Sequence, residues 1–169
     1  MMKNLGDYVA YFTEAQLRAH DSFWGYLLEY AVKDYAHAPM VISEPGKTDV
    51  RMVIDGKLRH VETKQNGGDF RHACKGNSYI AYCIFIDVNK PLREQFGYVM
   101  PMKLFKEIGG GPLHHIRSVK KDRSGLEKMS LQTLYVYKND SFLGAKGYKL
   151  ADAWEAAGAI PFKDFFVEG

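Results

Sequence analysis

The chain has 169 residues, a size that suits one domain with an ample hydrophobic core. Its hydrophobic content of 46% and charged content of 25% exclude a disordered or low-complexity chain. The formal net charge of +3 permits an anionic partner without requiring one. Two cysteines are too few for a disulfide framework, and the longest apolar run, 79–86, is far short of a membrane span. The N-terminus does not resemble a secretory signal, so we expect a cytoplasmic protein without a membrane partner.

Two helices are predicted near the N-terminus. Thr13 and Gln16 have the spacing of a capping box, which predicts a helix after Thr13. A second helix is predicted from Phe23 to about Ala36, because apolar residues recur there at helical spacing on two strips. Glu29 lies in this helix among apolar neighbours. It is a candidate functional residue, because a charged side chain is almost never buried unless it is paired, and a partly exposed helix residue is the alternative.

A β-hairpin is predicted over residues 48–64. Asp55–Gly56 stands between two runs rich in Val, Ile and Met, and this pair favours a type I′ turn, which needs positive φ at both central positions. Closing that turn sets a register in which Asp49 faces Glu62. Because side chains alternate along a strand, Lys64 joins these two acids on one face, and the other face is mostly apolar.

Two directly opposed carboxylates repel each other unless something compensates their charge. A divalent cation such as Mg²⁺ does this, since it takes carboxylate oxygens, keeps several waters and binds substrate phosphate in its remaining positions. Lys64 would then stabilise developing charge on the phosphate or orient a water. Asp49, Glu62 and Lys64 therefore indicate a metal-dependent phosphodiesterase site. Because Glu-x-Lys also occurs by chance in solvated strands, a surface salt-bridge network is the alternative.

The rest of the chain predicts further strands and helices. A strand buried on both faces begins near Tyr79, another strand covers 97–100, and a helix runs from Pro101 to the glycines at 109–111. The predicted fold is therefore α/β, with a central mixed sheet flanked by helices. Residues 1–111 form the core in this prediction, and residues 112–169 form a C-terminal extension packed on the same domain, with a helix at about 150–157.

A helix with Glu29, then Asp49, then Glu62-Thr63-Lys64 on a hairpin before a buried strand resembles the PD-(D/E)XK family of restriction-endonuclease-like nucleases. The resemblance covers about residues 22–108. It implies a restriction-endonuclease-like core in which Mg²⁺ or Mn²⁺ assists hydrolysis of a phosphodiester, in DNA rather than RNA. It also implies Asp49, Glu62 and Glu29 as metal ligands, Lys64 as their catalytic partner, and Gln65 as a polar contact to metal water or phosphate.

A basic stretch in the C-terminal extension is the predicted nucleic-acid-binding segment. Lysine and arginine contacts to phosphate supply most of the sequence-independent affinity for nucleic acid. The residues concerned are Arg117, Lys120, Lys121 and Arg123. A solvated loop is the simpler alternative. The pattern leaves open whether the chain forms a homodimer.

Two other functions stay open on the sequence alone. One is a catalytically silent member of the same fold that binds nucleic acid without cutting it. The other is a protein-interaction domain in which Arg51 and Lys64 pair with the acids at the surface. Thr48 departs from the family pattern, which has Pro at that place.

Overall fold

The computed structural model of the protein describes residues 2–18, 23–41, 50–65, 78–84, 88–105, 107 and 145–167. A five-stranded sheet forms the centre of the described structure. Its strands are β1 (Val50–Ile54), β2 (Lys57–Gln65), β3 (Tyr79–Ile84), β4 (Phe96–Pro101) and β5 (Ile160–Pro161). They lie in chain order across the sheet. The β2–β3 pair is parallel and the other pairs are antiparallel, so the sheet is mixed and the predicted α/β class is confirmed.

Helices surround this sheet. They are α1 (Glu14–Arg18), α2 (Phe23–Tyr35), α3 (Met102–Phe105), α4 (Ala145–Ala156) and α5 (Phe162–Phe165), with 3-10 helices at Leu5–Tyr11 and Leu92–Glu94. The predicted capping box begins α1, since the Thr13 backbone N–H donates to Gln16 Oε1 at 2.9 Å and the Gln16 N–H donates to Thr13 Oγ1 at 3.2 Å. No helix among the described residues is both long and apolar enough to cross a membrane.

The β1–β2 hairpin has the register that the turn residues predict. Asp55 and Gly56 have φ angles of 54° and 75°, the two positive values that a type I′ turn requires. The ladder runs from the Ile54–Lys57 pair at the turn to the Val50–Val61 pair. A shift by one residue would turn every side chain to the opposite face, so this local turn determines which side chains are buried.

The first face of the sheet is apolar and packs on α2. Val50, Met52, Ile54 and Val61 point to this face, and each is at most 5% exposed. They share one hydrophobic cluster with buried residues of α2 such as Leu27. This is the apolar face that the alternation in the hairpin predicts.

The second face divides into a buried part and an exposed part. Over β3 and β4 it is covered by an aromatic layer in which Tyr82 lies 5.3 Å from Phe105 and 5.9 Å from Trp154, measured between ring centroids. Over the hairpin it is open, because Val53 and Leu58 are 67% and 63% exposed. The residues Arg51, Val53, Leu58 and His60, which we call the hairpin face, are all exposed.

The described part of the C-terminal extension contributes to the core. β5 pairs with β4 through Tyr98–Pro161 and Val99–Ile160, and Trp154 of α4 completes the aromatic layer. The predicted helix at 150–157 is present but begins earlier, at Ala145. Residues after 144 therefore help to bury the sheet that carries the hairpin.

Candidate active site

Glu62 and Lys64 form an ion pair on the second face of β2. Lys64 Nζ lies 3.7 Å from Glu62 Oε1, and the side chains are 24% and 11% exposed respectively. In the parallel register Glu62 is next to Ile80 and Lys64 is next to Tyr82, both fully buried. The pair therefore lies at the border between the aromatic layer and the open hairpin face.

This position gives the charges more influence than they would have on an open surface. Partial burial lowers the local dielectric and reduces screening, so a charge at the border acts more strongly on a neighbouring group than an exposed one does. Glu62 supplies carboxylate oxygens, the ligand type that hard divalent cations prefer. Lys64 supplies a compact ammonium with three donors beside it. Together they can hold a cation on one side and an anionic oxygen on the other.

The second predicted acid, Asp49, lies outside the described residues. The last described pair of the hairpin is Val50–Val61, immediately before the predicted Asp49–Glu62 pair in the same ladder. The described register is thus the one on which that prediction depends. The facing of Asp49 and Glu62 itself stays a prediction.

Gln65 is described only in its backbone, which pairs with Cys83 in the β2–β3 ladder. Its side chain lies outside the described residues, so its contact with metal water or phosphate stays a prediction. The basic residues Arg117, Lys120, Lys121 and Arg123 also lie outside them. The nucleic-acid contacts assigned to that stretch are therefore untested.

Glu29 belongs to a helix on the opposite side of the sheet from Glu62 and Lys64. It lies on α2, which packs against the first face, whereas Glu62 and Lys64 lie on the second. Its side chain is 7% exposed, and Lys33 Nζ lies 3.3 Å from Glu29 Oε1. The sequence indicated that a buried Glu29 needs a partner, and the structure gives Lys33 as one such partner. Whether Glu29 also binds the metal stays a prediction.

Glu62 supplies part of the ligand set that a Mg²⁺ site needs. In the ranges that the structure describes, no group of three or more His, Cys, Asp and Glu side chains is close enough to hold a metal ion. Mg²⁺ usually binds proteins through one or two carboxylates and completes its coordination with waters and substrate phosphates. Glu62 supplies one such carboxylate, and Asp49 is the predicted second.

The hairpin face adds two basic side chains beside the Glu62–Lys64 pair. Arg51 and His60 are direct cross-strand partners, and both are exposed. His60 is also two residues from Glu62 on the same face of β2, about 7 Å along the strand. The alternation of side chains that places Lys64 on the same face as Glu62 also places His60 there, so the sequence predicts that His60 lies near Glu62.

Comparison of the chain with protein-family models, with curated proteins and with solved structures finds no match. The resemblance to PD-(D/E)XK nucleases therefore depends on the sequence pattern alone.

Proposed function

We propose that the protein is a metal-dependent nuclease that hydrolyses phosphodiester bonds in DNA, using Mg²⁺ or Mn²⁺. The observation that carries this proposal is the Glu62–Lys64 pair at 3.7 Å, at the border of the hairpin face that carries Arg51 and His60. A carboxylate next to an ammonium, beside exposed basic side chains, is suited to a substrate that is itself an anion and binds through a cation.

Glu62, Asp49 and Lys64 have different roles in the reaction. Glu62, with Asp49, would hold the cation next to the scissile phosphate. Lys64 donates hydrogen bonds to a phosphate oxygen or to the attacking water, and its positive charge stabilises the negative charge that grows in the transition state. The bound ion supplies Lewis-acid polarisation of the phosphate and lowers the pKa of water.

The burial of the pair supports this division of tasks. Lys64 pairs with the buried Tyr82 in the β2–β3 ladder and its side chain is 24% exposed, so its ammonium has fewer positions open to it than that of an exposed lysine. Preorganised charges cost little to reorient during the reaction, and this is the main source of electrostatic catalysis. A Lys64 free to rotate in solvent would lack that property.

A cleavage assay tests the proposal. The protein is incubated with plasmid DNA and with single-stranded DNA, in Mn²⁺ and in excess chelator. We expect cleavage in Mn²⁺ and none in chelator. Binding of DNA without cleavage in either condition would contradict the nuclease and favour the catalytically silent form. Neither binding nor cleavage would favour a protein-interaction domain.

A further inference from the structure

A cleft of about 740 Å³ opens beside β1, the strand at one edge of the described sheet. Its walls come from the end of α2, the β1–β2 hairpin, the N-terminal segment with Tyr8, and the C-terminal residues Phe165 and Val167. Clefts of this size are typical of small-ligand sites when apolar walls carry a few polar groups. Neither Glu62 nor Lys64 lines it, so it is distinct from the candidate active site.

The walls of this edge cleft offer aromatic surface. Tyr35 and Phe165 line it, both are partly exposed, and their ring centroids lie 6.1 Å apart. The Tyr35 hydroxyl donates to the Phe165 carbonyl oxygen at 3.0 Å, which connects the helix to the C-terminal segment. Fixed aromatic side chains are surfaces on which a nucleobase can stack.

Asp34 is an acceptor in the same cleft. The Tyr8 hydroxyl donates to its Oδ2 at 2.5 Å, and this contact fixes the direction of the carboxylate. A carboxylate accepts hydrogen bonds but does not donate them, so opposite position 4 of a pyrimidine it favours the amino group of cytosine over the carbonyl oxygen of thymine.

Two basic residues, Arg51 and His37, line the cleft, and both are exposed. His37 has a φ of 54°, and the chain turns there because Ala38 N–H donates to the Lys33 carbonyl at 2.8 Å to end α2. Arginine binds phosphate oxygens through two donors at once. The cleft thus presents phosphate-binding groups at its rim and a base-binding surface within.

The hairpin face connects the edge cleft to the candidate active site. Arg51, Val53 and Leu58 belong to both the hairpin face and the cleft lining. From Leu58 to Glu62 there are four residues along β2, on the order of 13 Å. A short length of a single nucleic-acid strand spans that distance.

We propose that the edge cleft binds one nucleotide of a single-stranded substrate, a few nucleotides from the phosphate held at Glu62. Arg51 and His37 contact its phosphate, Tyr35 and Phe165 contact its base, and Asp34 accepts a hydrogen bond from the base amino group. This inference depends on the proposed function. The substrate is single-stranded at this point because a base must leave its stack to enter a cleft.

Equilibrium binding of short fluorescent oligonucleotides tests the inference. Anisotropy is measured with oligo(dC) and oligo(dT) in excess chelator, so that no cleavage interferes. We expect the wild type to bind oligo(dC) roughly tenfold more tightly, which is the low end for a hydrogen bond to a charged group. Asp34→Asn should remove this preference, since an amide both donates and accepts and still accommodates the Tyr8 hydroxyl.

Arg51→Ala should weaken the binding of both oligonucleotides. It should also reduce the slope of log binding constant against log salt concentration by about 0.7, the value for one phosphate contact on a single strand. Lys57→Ala is the matched control. Lys57 is an exposed cation of the same hairpin, but it pairs with Ile54 on the opposite face. It should leave binding unchanged within twofold.

The outcomes separate this inference from the proposed function. Metal-dependent cleavage by the wild type, together with Arg51→Ala that binds as Lys57→Ala does, would overturn the edge-cleft site alone. Equal binding of oligo(dC) and oligo(dT) by the wild type would overturn the role of Asp34 and with it the inference. Absence of both binding and cleavage would overturn the inference and the nuclease proposal together.

Discussion

Lys64 Nζ lies 3.7 Å from Glu62 Oε1, and both side chains lie where the open hairpin meets the buried aromatic layer. Lys64→Met keeps the apolar stem beside Tyr82 but removes the charge. We expect DNA cleavage to fall to background. Loss of the ammonium also leaves a largely buried carboxylate without this partner, which should lower the free energy of unfolding by about 1–3 kcal/mol.

Lys64→Arg serves as the control for this change. It restores the positive charge and hence most of the stability, but its planar guanidinium places donors differently, so cleavage should stay well below the wild-type rate. The two properties are measured by urea denaturation and by the rate of DNA cleavage. Wild-type cleavage by Lys64→Met would contradict the role given to Lys64.

Asp49→Asn tests the second predicted metal ligand. The described ladder ends at the Val50–Val61 pair, and the sequence predicts that Asp49 pairs next, opposite Glu62. We expect Asn at this position to reduce Mn²⁺ affinity at least tenfold by isothermal titration calorimetry, because an amide carries no charge for the cation.

Asp55→Asn is the matched control for that measurement. It removes a carboxylate at the other end of the same hairpin, and asparagine tolerates the positive φ of 54° found at Asp55. Mn²⁺ affinity should be unchanged in this variant. An equal loss of affinity in Asp49→Asn and Asp55→Asn would show a general charge effect and not a ligand.

Removing one partner of the Glu29–Lys33 pair should cost far more stability than removing one partner of an exposed pair with the same spacing. Lys33→Met leaves the buried Glu29 without this cation and should cost about 3 kcal/mol in free energy of unfolding. Adding Glu29→Met should recover part of that loss, because it replaces the buried charge with an apolar side chain.

Arg18→Met is the comparison variant, since Arg18 and Glu14 form an ion pair at the same i,i+4 spacing and are about three-quarters exposed. It should cost no more than about 0.5 kcal/mol. The free energies of unfolding of Lys33→Met and Arg18→Met are measured by urea denaturation. Similar costs for Lys33→Met and Arg18→Met would show that burial of the Glu29 pair has no energetic effect.

The free energy of unfolding should decrease at alkaline pH because of the ionisation of Tyr8. Burial and then the hydrogen bond to Asp34 raise the pKa of Tyr8 above its ordinary value of 10.0. A raised folded-state pKa means that the stabilisation is complete below pH 10 and decreases above it, because the unfolded state then loses its proton first.

Tyr8→Phe should therefore be less stable than the wild type by about 1 kcal/mol at neutral pH, the typical contribution of one hydrogen bond. The difference should shrink as the pH rises above 10. Urea denaturation at pH 7 to 11 checks this. A difference that stays constant across that range would contradict the assigned shift.

The hairpin was predictable because its determinants are local. Asp55 and Gly56 alone select the type I′ turn, and the turn then determines the pairing of every residue from Val50 to Val61. The faces follow from alternation, so the neighbourhood of Glu62, Lys64 and His60 could be predicted without knowing the rest of the fold.

The burial of Lys64 was not predictable, because it depends on residues distant in sequence. Tyr82 belongs to β3 and Trp154 to α4, and no local pattern states that these two elements pack together over this part of the sheet. β5 was missed for another reason, since two residues, one of them Pro161, are too short for a strand pattern.

The N-terminal 3-10 helix was also missed, although a signal existed. The Asn4 backbone N–H donates to Asp7 Oδ2 at 3.1 Å, which is the acidic half of a capping arrangement that spans three residues. The spacing of Asn4 and Asp7 in the sequence is therefore enough to predict the start of this helix.

The rate of Mn²⁺-dependent cleavage of plasmid and single-stranded DNA by Glu62→Gln, beside the wild type, tests the central claim most directly. Glutamine keeps the size of the side chain and removes only the charge that would hold the cation. We predict cleavage by the wild type and a loss of at least roughly a hundredfold in the variant, with an unchanged circular-dichroism spectrum. Equal rates in the two proteins, or no cleavage by the wild type, would contradict the assignment of the hairpin as a nuclease site.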